Sequence, residues 1–212
     1  MIKRLTTHAA VLLTSLALAG CATTSQPLSQ ADRARHASVR ISNTVTKPAE
    51  PYLLAPGGAN IGLMFGALGG AAASGTIQDN QKLFARFLET NSISIEKIAR
   101  EEIEAALRSS NKFQIAAGND PSIPEIRISI LQYGFSVPHL LSSEVVPTLL
   151  VQCEMKDSTG KLLWAGNDRI LPSIASSIES TNWEEMQKNP QLAEKRLREG
   201  LRVVANTIMQ EL

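Results

Sequence analysis

The apolar residues of this chain change period twice, and that change limits the folds open to it. Ile95, Ile98, Ala99, Ile103, Ala106 and Leu107 recur at helical spacing with Glu and Arg opposite, so a helix is expected from about Ser94 to Ser109. From Ile126 the period falls to two. Ile126, Ile128 and Ile130 alternate with polar residues, the phase flips at Leu131, and Tyr133, Phe135 and Val137 continue on the other parity. A bulge or bend near Ile130–Gly134 accounts for the flip. Leu149, Val151, Cys153 and Met155 form the clearest strand. Asp157-Ser158-Thr159-Gly160 then closes a hairpin onto a return strand from Lys161 to about Leu171, carrying Leu162 and Trp164. The helical period returns in Leu197, Leu201, Val204, Ile208 and Leu212, behind a helix start at Asn189-Pro190.

The remaining elements fill this frame. A strand is expected over about Ser38–Thr46. Pro48, Pro51 and Pro56 make Lys47–Gly58 a loop. Thr76 and Asp79 have the spacing of a helix start, followed by the apolar face Leu83, Phe84, Phe87 and Leu88. Phe113 and Ile115 suggest a short strand, and Thr181–Glu184 a short helix start. The expected fold is α+β: a single domain with a mixed, mostly antiparallel sheet of about five strands and helices packed on one face.

Ahead of this domain the chain opens with Lys3 and Arg4, then an apolar run from Ala9 to Ala19 broken only by Thr14 and Ser15. That run is too short to span a bilayer, which needs about 20 apolar residues. A positive start, a short apolar stretch and small residues at its end describe an export signal over residues 1–20. Residues 21–37 read as a polar tether, and 38–212 as the folded domain. Removing Lys3 and Arg4 takes the 21 basic residues to 19 against 20 acidic ones, a balance that gives no electrostatic footprint for nucleic acid. Only two cysteines, Cys21 and Cys153, are present, too few for a disulfide framework of several bridges.

Residues Ala59–Ile77 carry no charge, and within and just before them Gly58, Gly62, Gly66, Gly70 and Ser74 recur every fourth residue. On a helix these small residues share one stripe. Each Gly costs a helix about 1 kcal/mol relative to Ala, so such a stripe is expected only where backbones approach closely. The segment 58–77 admits three readings: packing on its own domain, self-association or partner docking, and insertion into a membrane.

Little else carries chemistry. His36 lies in the tether and His139 follows Pro138 in a loop; neither sits in a nucleophile or metal motif. Cys153 falls on the apolar parity of its strand, where a thiol behaves as a small hydrophobe. The glutamates Glu101, Glu102 and Glu104 lie among Arg and Lys on a helix and read as a solvated face. No catalytic residue, metal, cofactor or small-molecule substrate is expected.

Leu18-Ala19-Gly20-Cys21 resembles the lipobox of bacterial lipoproteins. The resemblance implies that Cys21 receives a diacylglyceryl group, that the signal is cut before it, and that the new amine is acylated. Ala22 in place of Asp implies the outer membrane, with the domain on its periplasmic side. The helix pair, the strand meander, the hairpin Asp157–Trp164 and the closing helix resemble small Gram-negative outer-membrane lipoproteins. That group includes activators of penicillin-binding proteins and is similar to the amino-terminal domain of the Tol-system propeller protein. The resemblance implies a non-enzymatic envelope accessory that binds a protein partner. The alternative is an oligomer-forming or membrane-active lipoprotein that works through residues 58–74.

Overall fold

The computed structural model describes residues 25–56, 77–118, 120–139, 141–172 and 178–212. At its centre two long strands, β4 (Glu125–Ser136) and β5 (Glu144–Lys156), run antiparallel. The other edge of β4 takes two strands end to end, both parallel to it. β1 (Ser38–Thr46) lies opposite Glu125–Ser129, and β2 (Tyr52–Leu54) opposite Gly134–Ser136. The two-residue β3 (Gln114–Ile115) adds outside β1, again parallel. On the far edge of β5, β6 (Leu162–Ile170) and β7 (Thr181–Asn182) pair antiparallel.

The expected sheet therefore needs correction. It is mixed, but it has seven strands among the described residues, and its pairings divide equally between parallel and antiparallel. The reason lies in the connections. Between β1 and β4 the chain passes through α2 (Ile77–Thr90) and α3 (Ile95–Ser110). A crossover of that length returns the next strand parallel, whereas the short turn at Asp157–Gly160 permits only an antiparallel hairpin. Strand β2 sits inside the segment read as a loop. Its three residues lie between Pro51 and Pro56 and use only the edge of β4.

The bulge in β4 falls at Leu131. The register against β5 shifts between Ile130 and Gln132, which leaves Leu131 unpaired and 40% exposed. This extra residue lets Ile126, Ile128 and Ile130 before it, and Tyr133 and Phe135 after it, all be buried. Strand β5 starts five residues before the alternating run and contains Pro147, opposite Phe135. Among the described residues no strand pairs with the outer side of β5 there, because β6 reaches only to Leu149 and β7 only to Val145. That gap is where a residue without an N–H fits in a central strand.

Helices α2, α3 and α5 (Pro190–Glu211) form a second layer on one face. Phe84 of α2 meets Phe135 edge-on at 5.8 Å, and Gly200 of α5 lies against Leu149 and Pro147. The stripe Leu197, Leu201, Val204, Ile208 and Leu212 is buried throughout. Burying a side chain such as Phe84 or Phe135 stabilises the fold by about 1.5–3 kcal/mol. Ser94 caps α3 by accepting from the Lys97 N–H at 3.2 Å, and Asn111 ends it in the left-handed conformation. The short α4 (Trp183–Lys188) starts at Asn182, whose side chain accepts from the Glu184 and Glu185 N–H groups. On the other face of the sheet Arg127, Gln152, Glu154 and Lys156 meet solvent.

The segment read as a tether, 21–37, is docked from Gln26 onward. Gln26 and Ala165 exchange main-chain hydrogen bonds of 2.8 and 2.9 Å across the outer edge of β6. Leu28 packs on the core, and Ser29 caps α1 (Gln30–Arg35). Arg33 of α1 donates to the carbonyl of Leu212. Polar composition alone pointed to a tether because these bonds go mostly to backbone, which leaves no mark in a sequence.

Candidate functional site

The residues singled out for function fall largely outside the described part of the chain. Gly20 and Cys21, the expected cleavage and lipidation positions, lie outside it, as do Gly58, Gly62, Gly66, Gly70 and Ser74. The described flanks can still be placed. The chain leaves β2 at Leu54, whose carbonyl accepts from the Val137 N–H at 2.8 Å. It resumes at Ile77, one end of a helix that runs back along β4: Phe84 stands against Phe135, and Leu88 lines a groove with Tyr133. Both flanks of the glycine-rich segment therefore lie at the end of the sheet where β4 turns into β5.

That groove is a cavity of about 450 Å³ between the α2–α3 turn and the sheet, lined by Lys47, Ala85, Leu88, Ile93, Glu96 and Tyr133. The Lys47 ammonium lies 5.6 Å from the centre of the Tyr133 ring and 3.5 Å from the Glu96 carboxylate. Burial pushes the Tyr133 phenol above its ordinary pKa, and the charge and hydrogen bond of Lys47 oppose that rise. Residues 47, 96 and 133 are far apart in sequence, and no spacing signals their meeting. The groove offers an apolar wall with one cation and carboxylates at its rim, an arrangement suited to holding a side chain or short apolar group.

Two charged clusters are structural. Glu102, read as part of a solvated face, is only 7% exposed. It accepts from Arg198 at 3.1 Å and Arg202 at 3.0 Å, and Arg198 also reaches Glu101 and Glu194. This network joins α3 to α5. Arg196, 5% exposed, donates to the Thr181 hydroxyl at 2.6 Å and pairs with Glu199 at 2.7 Å and Glu179 at 2.5 Å. It fastens β7 and the residues before it to α5.

Cys153 is fully buried, and that burial pushes its thiol up to about 12. A thiol in this state is not a nucleophile near neutral pH. Among the described residues no three His, Cys, Asp or Glu side chains converge as metal ligands. Among them, too, no helix is long and apolar enough to cross a membrane.

The fold defines a class: a two-layer α/β domain with helices on one face of a mixed sheet. No protein-family model matches the chain, and no curated protein matches it. Solved structures similar to it include the following two. A minor lipoprotein from Acinetobacter baumannii shares 17% identity at a TM-score of 0.38, over 52% of this chain and 81% of that one. A PelC dodecamer from Paraburkholderia phytofirmans shares 9% identity at a TM-score of 0.36, over 89% of this chain and 94% of that one. Likeness at this distance carries no argument about what this chain does.

Proposed function

We propose that the protein is a lipid-anchored lipoprotein of the outer membrane, its domain on the periplasmic side, acting as a non-enzymatic accessory that binds a protein partner. One observation carries the reading: Leu18-Ala19-Gly20-Cys21 stands in register behind a charged start and a short apolar run. Stable anchoring needs more than one acyl chain, and a diacylglyceryl group with an N-acyl chain on Cys21 meets that requirement.

The test is the mass of the mature chain taken from membranes. It should begin at Cys21 and carry both lipid groups, and Cys21→Ser should leave an unprocessed or unacylated chain. A mature chain starting elsewhere removes the reading. In-cell crosslinking from the domain should then recover one specific protein partner.

The spacing of Gly58, Gly62, Gly66, Gly70 and Ser74 favours a second reading, in which this stripe is a contact in an oligomer. Gly66→Leu should then break the assembly while a change at an exposed residue such as Thr90 leaves it whole.

A further inference from the structure

We propose that the β6 side of the sheet, with the Asp157–Lys161 hairpin, faces the bilayer that holds Cys21, and that the Lys47–Tyr133 groove is held away from it. The inference rests on the lipoprotein reading and adds an orientation to it.

Gln26 is bound to β6 by two main-chain hydrogen bonds, and its side-chain amide donates to the Leu162 carbonyl at 3.1 Å. Leu28 and α1 then hold the following residues to the domain. The leash to the lipid therefore ends at Gln26 and not near Ser38. Five Cα–Cα steps lead from Cys21 to Gln26, a reach of at most about 18 Å.

That reach is short compared with the domain. Ala165 lies opposite Glu154, and Glu154 opposite Arg127, so the row from Gln26 to β4 crosses three strand spacings, about 14 Å. Tyr133 lies further along β4, beyond the bulge, and the straight distance from Gln26 is roughly 22 Å. Lys47, next to Thr46 on the strand outside β4, lines the same groove. With the line from Gln26 to Tyr133 along the membrane normal, a domain resting on its groove would hold Gln26 roughly 22 Å up, beyond a leash of about 18 Å. A domain resting on β6 and the hairpin would not, and the polar residues exposed there, Ser158, Thr159, Lys161 and Arg169, suit contact with lipid headgroups.

The experiment uses the full lipidated chain in vesicles of phosphatidylethanolamine and phosphatidylglycerol that contain a headgroup-nitroxide lipid. Fluorophores are attached through Ser158→Cys, Arg169→Cys or Thr90→Cys; Cys153 is buried and does not compete. Quenching should be several-fold stronger from positions 158 and 169 than from 90. A long Gly-Ser insertion between Thr24 and Ser25 should erase that contrast. Equal quenching at the three positions, or stronger quenching at 90, on a chain whose mass proves acylation at Cys21 overturns the orientation alone. A chain without acyl groups overturns the lipoprotein reading and the orientation with it.

Discussion

A Cβ on Gly134 would stand 2.8 Å from the carbonyl carbon of Tyr52 and inside the radius of its oxygen, so β2 lies on β4 only because position 134 has no side chain. The φ of Gly134, +144°, is also one that other residues rarely adopt. Gly134→Ala should cost about 3 kcal/mol, at the upper end of overpacking penalties, read as a lower urea midpoint. Gly160 has φ +85° but open space around it, so Gly160→Ala should cost only about 1–2 kcal/mol. Equal losses at the two sites would mean that β2 does not need the close approach.

Arg196 should matter more than its single charge suggests. Arg196→Ala leaves the buried Thr181 hydroxyl without its donor and Glu199 with only the longer Lys195 contact, and a loss of about 2–3 kcal/mol is expected in chemical denaturation. Arg196→Lys keeps the charge but not the fork of donors, and should recover only part of the loss.

The Cys153 thiol gives a pH signature with a definite sign. Its folded pKa, about 12, is above the ordinary value of 9.0 because of burial. Between these values the unfolded chain loses a proton that the folded chain keeps. Stability should therefore fall as pH rises above 9, by about 1.4 kcal/mol per pH unit from this group. Denaturation midpoints of the native chain and Cys153→Ala, compared across that window, should diverge with pH. Parallel curves would show that the thiol ionises in the fold.

Lys47 holds the Tyr133 phenol below where burial alone would take it. Lys47→Met should move tyrosinate formation to higher pH in an absorbance titration. It should change stability by less than about 1 kcal/mol, because the Lys47–Glu96 pair is partly solvated.

The sequence exposes some of these features better than others. β1, α3, the 157–160 hairpin and the final helix follow from period and turn chemistry, which act over a few residues. The phase flip in β4 likewise required a bulge, and Leu131 is that residue. Strand β2 was hidden because three residues between prolines have no period of their own; they are extended only because β4 offers an edge. Pro147 masked the start of β5 for a similar reason, since its tolerance depends on the gap between β6 and β7. The docking of Gln26 and the groove around Tyr133 depend on contacts between distant residues, and no local pattern encodes them.

The parallel pairing of β1 with β4 also has a consequence for the order of assembly. Arg40 and Glu125, 85 residues apart, meet in the ion pair at the start of this pairing. The β4–β5–β6 meander can close through short turns, but β1 has only the two residues of β3 to pair with until the chain beyond residue 125 is present. A chain delivered amino end first thus holds a strand with open edges through most of its synthesis. Agents that bind extended, unpaired segments would find residues 38–46 before the sheet does.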